Sequence, residues 1–239
     1  MIKTNKVFIQ FFLCLFFLYL STALYSQSMT ASAVVAQTEV SKNALRDGNV
    51  QKAIETLEQS VLTAKEDAEK KDLYAVLASL QEQIGMFPEA QVSFNAAAAL
   101  AQKGTEERQY RMLDAVRCAL SCGDISSADF FLSTQLDKPL TDEISAKKKL
   151  YALWSWLVKS ENKKDISSIV AVLKTYATLD EMNSVKPVIM LSLYEITNEV
   201  EWKNSLVTSY PDSPEAAIVS GSAKLFPSPF WYFSLSKAE

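Results

Sequence analysis

Histidine is absent from all 239 residues. That absence removes the Ser-His-Asp and Cys-His nucleophilic constellations and leaves no imidazole to complete a metal site. Glycine occurs five times and proline seven, few for the many tight turns of a sandwich or barrel. With alanine, leucine, lysine and glutamate plentiful, the composition points to a mainly helical chain. No Gly-x-Ser-x-Gly elbow, phosphate-cradling glycine loop or dinucleotide fingerprint occurs. No long basic cluster occurs either, so neither nucleic acid nor an anionic lipid surface is an expected partner.

Cysteine is scarce at three residues. Cys14 lies in an apolar run near the start. Cys118 and Cys122 stand four apart on one expected helix, where a disulfide within a single turn is geometrically awkward. They read as two small buried or half-buried thiols. The paired carboxylates Glu66/Asp67 and Asp180/Glu181 fall in a charged run and at an expected helix end, and read as solvated faces. No catalytic residue, metal or cofactor is expected.

Residues 1–28 have the layout of an export signal. Lys3 and Lys6 supply a positive start, residues 7–20 (VFIQFFLCLFFLYL) an uncharged apolar core, and Ala23, Ser26 and Ser28 candidate cleavage points. The core is short against the ~20 residues that span a bilayer. The expectation is an exported protein of the periplasm or cell envelope. An uncleaved segment would serve instead as a membrane tether. Without Lys3 and Lys6, 22 of the 24 basic residues remain against 28 acidic ones, a net charge of −6.

Residues 72–102 (DLYAVLASLQEQIGMFPEAQVSFNAAAALAQ) organise the rest. Leu73, Leu77, Leu80 and Ile84 recur at helical spacing, Gly85 marks a turn, and Phe87, Ala90, Phe94, Ala97, Ala98 and Ala101 repeat the pattern after it. The unit reads as an antiparallel helix pair whose stripes each need a neighbour. Gly48, Gly85 and Gly123 are each followed five residues later by an alanine (Ala53, Ala90, Ala128), and four further on by Leu57, Phe94 or Leu132. The intervals between copies are 37 and 38 residues, a period that signals stacked helical repeats. Glycine suits the left-handed residue that ends a helix. The alanine suits the closest approach of two helices, and the larger residue fills the gap to the next pair.

Around these copies, helices are expected from about 32 to 47 and from 50 to about 70. A third pair is expected at 105–122 and 125–135, with Thr105 as N-cap. Thr141 caps the next helix, which carries Leu150, Leu153, Trp154 and Leu157. Asp165-Ile166-Ser167-Ser168 repeats Asp124-Ile125-Ser126-Ser127 and opens a fourth second helix, with Ile169 and Leu173 in the packing places. Pro187 fits a first turn, a short helix follows from 200 to 208, and Ser213-Pro214 caps and opens another.

Ala90, Phe94 and Ala97 reproduce the second-helix signature of the tetratricopeptide repeat (TPR) family, which the chain resembles. Tyr74, Leu77 and Ala78, then Gln81, stand where that family favours Trp, Leu-Gly and Tyr. Val40 and Ser41 replace Leu-Gly in the first copy. Tyr210-Pro211-Asp212-Ser213-Pro214-Glu215-Ala216 resembles junctions of envelope-located TPR proteins such as outer-membrane assembly and Tol-associated subunits. The resemblance implies an all-α fold: a right-handed α-solenoid of about four to five antiparallel pairs over residues 29–224, preceded by the export signal and followed by an aromatic, proline-containing tail at 225–239.

It also implies a non-enzymatic scaffold that binds a protein or peptide on the concave face formed by first helices. By register the anchors there are Lys42, Arg46, Glu82, Tyr110, Arg117, Tyr151 and Trp154, the aromatic and arginine side chains offering most contact area. Tyr110 and Trp154 could equally pack on the adjacent pair, and Arg117 could serve internal salt bridges. Residues 225–233 (LFPSPFWYF) fit either a cap on the last pair or a docking strip. The alternative function is a structural subunit of an envelope complex, docking through its ends and this tail.

Overall fold

The computed structural model describes Glu39, Asn43, Ala44 and residues 47–136, 138–160 and 163–222. The export segment, Lys42, Arg46 and the aromatic tail lie outside the described residues. Every regular element among those described is helical: α1 (Val50–Thr63), α2 (Asp67–Gln83), α3 (Phe87–Leu100), α4 (Glu106–Cys122), α5 (Ile125–Phe130), a π-helical turn (Phe131–Gln135), α6 (Asp142–Lys159), α7 (Lys163–Thr178), a 3-10 turn (Asp180–Val185), α8 (Lys186–Thr197), α9 (Val200–Ser209) and α10 (Pro214–Val219). The fold is all-α. No described helix is long and apolar enough to cross a membrane.

The chain divides into two compact units, residues 1–73 and 74–239, with the boundary inside α2. In the first, the Asn49 side chain accepts from the Lys52 amide and starts α1. α1 buries Ala53, Ile54, Leu57 and Val61 on one stripe. The expected helix from 50 to about 70 is two helices. The backbone turns extended at Ala64 (φ −59°, ψ 137°) and α2 begins at Asp67. No glycine or proline marks this break. Asp67 and Glu69 then occupy the first turn of α2, where the helix dipole favours them.

In the second unit the main packing partners are neighbours in sequence: α3 with α4, α4 with α5 and α6, α6 with α7, α7 with α8, and α8 with α9 and α10. Side-chain bonds fix the directions. Gln91 at the start of α3 reaches Asp124 just past the end of α4 (3.0 Å). Arg108 at the start of α4 donates to the Ala98 carbonyl near the end of α3 (2.6 Å). α3 and α4 are therefore antiparallel. Glu82 near the end of α2 meets Arg117 near the end of α4, and the Gln109 amide near the start of α4 clasps Lys138 O and Leu140 N just ahead of α6 (2.7 and 2.9 Å). So α2, α4 and α6 run parallel, with α3 and α5 returning between them.

The glycine turns close as expected. Gly48, Gly85 and Gly123 all have φ near +80°, and the residue after each bonds back five positions: Asn49 N to Ala44 O, Met86 N to Gln81 O, Asp124 N to Ala119 O. That closure satisfies a carbonyl that a helix end leaves bare. Ala53, Ala90 and Ala128 are fully buried, as are Leu57, Phe94 and, nearly so, Leu132. Thr105, Thr141 and Ser213 cap α4, α6 and α10 through their hydroxyls. Ile169 and Leu173 are buried on α7. Ile84 departs from its expected inward place: it stands exposed in the last turn before Gly85, where the chain is already leaving the packed face.

The second helix of the third pair also departs from regular form. After Phe130 it widens into the π turn, with Leu136 N bonding Phe131 O (3.1 Å). The extra residue per turn rotates the side chains that follow. Phe130, just before the turn, is exposed and Phe131 is buried, their rings edge to face at 5.8 Å.

Candidate functional site

Lys42 and Arg46, the first two expected anchors, lie outside the described residues. Of the other five, the fold gathers four into one cluster across three parallel helices. Arg117 on α4 holds Glu82 on α2 with two donors, Nε to Oε1 at 2.6 Å and Nη2 to Oε2 at 2.7 Å. Its Nη1 meets Asp114 at 3.1 Å, and Arg111 meets the other Asp114 oxygen at 3.4 Å. Tyr151 on α6 faces the same guanidinium, and Trp154 stacks on Tyr151 with ring centroids 5.3 Å apart. Glu82, Arg117 and Tyr151 sit 35 and then 34 residues apart in sequence, one from each parallel helix.

The electrostatics follow from that enclosure. Burial opposes the Arg117 charge, but Glu82 and Asp114 outweigh it and hold the guanidinium pKa well above its ordinary value. Burial pushes the Tyr151 phenol up to about 12, with Arg117 opposing and Asp114 adding. Burial likewise pushes the neighbouring Cys118 thiol up, so it stays protonated and inert. Both thiols are free. Cys122 donates weakly to Gln91 Oε1 at 3.7 Å.

This cluster is internal. Tyr151 is 6% exposed and Trp154 3%, and both belong to the continuous core of the second unit. Their expected role as open anchors is corrected by the packing of α6 on α4, which covers them. Arg117 retains 25% of its side-chain surface and Glu82 17%, yet each satisfies the other. Tyr110 is half-buried one helix end away. Its phenol lies beside Glu143 and Thr141 at the start of α6, and Lys147 lies over its ring at 5.1 Å. Lys147 in turn holds the Glu143 carboxyl below its ordinary pKa. Tyr110 thus joins α4 to α6.

The accessible surface on α6 is its opposite side. Trp154 and Trp156 are two positions apart, roughly 200° around a helix, so burying one exposes the other: Trp156 is 40% exposed. An open groove of about 580 Å³ runs beside it. Leu153, Ala152 and Trp156 of α6 form one wall, Val172 and Tyr176 of α7 the other, and Pro139 one end; Ser145, Lys148 and Lys149 line the rim. Lys149 is tied to Glu181 of the 3-10 turn at 2.7 Å. Glu181 of the Asp180/Glu181 pair is thus tied to a lysine that lines the groove. The sequence carried the signal for Trp156, an aromatic opposite the core stripe of its own helix.

The groove offers apolar walls, two aromatic faces and cationic rim groups. Among the described residues no cluster of acidic and thiol side chains could hold a metal ion.

No curated protein and no solved structure matches the chain. One protein-family model, described as a middle domain, matches residues 158–239, about a third of the chain, from the end of α6 through α10 and the tail.

Proposed function

We propose that the chain is an exported, non-enzymatic interaction scaffold of the cell envelope. It is built as a TPR-like right-handed α-solenoid and takes a protein or peptide partner in the α6–α7 groove. The groove itself carries this reading. It joins an exposed tryptophan, a half-buried tyrosine and an aliphatic floor, the composition of interface centres. The sequential packing of helices, the parallel first helices and the repeated glycine closures support the repeat architecture. The layout of residues 1–28 supports export. The reading moves the binding face from Arg117, Tyr151 and Trp154, which are occupied inside, to the other side of α6.

A photo-crosslinking residue in place of the exposed Ala152, expressed in cells, tests it. A discrete protein adduct is expected that weakens with Trp156→Ala and is absent when the same residue replaces the exposed Val92 on α3. Equal adducts at both positions would sink the assignment.

A second reading, docking of the chain as a structural subunit through its last helices, draws on the exposed Val200 and Val207 of α9. Replacing both by serine would disrupt a native complex under that reading and leave the groove adduct intact under the first.

A further inference from the structure

We infer that the partner segment taken by the α6–α7 groove is acidic as well as apolar. It seats an apolar side chain beside Trp156 and a carboxylate on Lys148 and Lys149, where the chain's own Glu181 competes for Lys149. The inference rests on the groove being the binding face, and it adds the chemistry of the partner.

Three observations carry it. The first is the sign of the lining. The whole chain is acidic, with 28 carboxylate residues against 24 cationic ones. Yet both charged residues that line the groove are lysines, and among the described residues no carboxylate lines it. They belong to a run of three lysines on α6. Successive positions on a helix point about 100° apart. Lys147 accordingly turns away from its neighbours, to Glu143 at 2.6 Å and the Tyr110 ring, while Lys148 and Lys149 border the groove.

The second observation is polarity along the groove. α7 follows α6 directly, and Glu181, just past the end of α7, comes back to Lys149 at 2.7 Å, so the two helices are antiparallel. Lys148, Lys149 and Tyr176 therefore lie towards one end and Trp156 towards the other, with Ala152 and Val172 between. Lys149 and Trp156 are seven residues apart, about 10 Å along the helix. An extended segment spans that in about three residues, a helical one in about two turns. The third is exchangeability. Side-chain exposure is 39% for Lys149 and 56% for Glu181, and a pair so open to water contributes little. An incoming carboxylate therefore takes donors from Glu181 at small cost. A segment with no acid there would cover two ammonium groups without replacing their water, and a basic one would be repelled. The lysines thus discriminate among apolar segments that Trp156 alone would accept.

Selection from a display library of random twelve-residue peptides on the purified full chain tests the inference, with the Trp156→Ala chain used to discard peptides bound elsewhere. The peptides that need Trp156 are expected to carry Asp or Glu three or seven residues from an apolar side chain. A labelled member is expected to bind the K148E/K149E chain about tenfold more weakly than the unaltered chain. Replacing its acid by the amide should cost a similar factor on the unaltered chain and nothing on K148E/K149E. Glu181→Gln should tighten binding about threefold, a gain that misfolding does not mimic. Trp156-dependent peptides with no acidic preference, or an amide replacement that costs both chains equally, would overturn the inference and leave the groove as the binding face. Unchanged binding by the Glu181→Gln chain would overturn the competition for Lys149. A dimer of the unaltered chain that Trp156→Ala dissolves would assign the groove to a second copy and overturn the inference as well. If no selected peptide depends on Trp156, the inference and the groove as binding face fall together.

Discussion

Arg117 and Glu82, on two parallel helices, meet through a two-pronged contact with both distances below 2.8 Å. Both groups are part-buried, Arg117 keeping 25% and Glu82 17% of its side-chain surface, and Asp114 adds a second anion beside the same guanidinium. Removing one partner of such a pair costs more than the pair contributes, because the other is left charged and part-buried. Arg117→Met is expected to lower unfolding free energy by roughly 2–3 kcal/mol. The double variant E82Q/R117M should recover part of that loss. A loss under about 0.5 kcal/mol in denaturant titration would place the contact among ordinary surface ion pairs.

Tyr151 predicts a specific alkaline weakness. Its folded pKa is raised to about 12 from the ordinary 10. Its stabilising contribution is therefore complete below pH 10 and is lost as pH rises towards 12, since only the unfolded chain ionises in that window. At pH 11 the loss amounts to roughly 1.4 kcal/mol. Tyr151→Phe should be less sensitive than the parent chain between pH 8 and pH 11 by about that amount. Identical declines in the two proteins would show that the phenol is not so enclosed.

Ala90 and Val92 differ by two positions and by everything that matters for packing. Ala90 is fully buried in the core shared by α3 and α4, while Val92 is 68% exposed. Ala90→Leu forces methylenes between close helices and is expected to cost about 1–3 kcal/mol. Val92→Leu should change stability by less than about 0.5 kcal/mol. Thermal unfolding of the two variants side by side checks the contrast; equal shifts would mean that the helices do not close on Ala90.

Gly85 isolates backbone conformation from space. Its φ is +82°, and a Cβ there would meet nothing within 4 Å. Gly85→Ala should therefore cost about 1 kcal/mol from the left-handed conformation alone. Gly85→Asn should cost less, as asparagine tolerates that region better. A neutral alanine variant would show that this helix end can close another way.

The pattern of small, large and glycine residues was legible because each records a local constraint. A left-handed cap needs glycine and a close approach needs alanine, whatever lies beyond the pair. Caps at Thr105, Thr141 and Ser213 were legible for the same reason. The break at Ala64 was not, since an extended ψ there uses neither glycine nor proline. Nor was the π turn after Phe130, which is compatible with the same residues as a regular helix.

The candidate site divides in the same way. Glu82, Tyr110, Arg117, Tyr151 and Trp154 were legible as a register, and the structure does bring four of them together. The burial of Tyr151 was not legible and that of Trp154 was one of two open readings, because α6 carries aromatic residues on more than one side. Thus the sequence by itself determined an all-helical chain with a repeating glycine and alanine frame, since those demands are met within a residue's own turn or pair. Only the tertiary structure decided that Trp154 is buried in the core while Trp156 borders an open groove. Which face of a helix is covered depends on where its neighbours lie, and that position is set by the packing of all of them together.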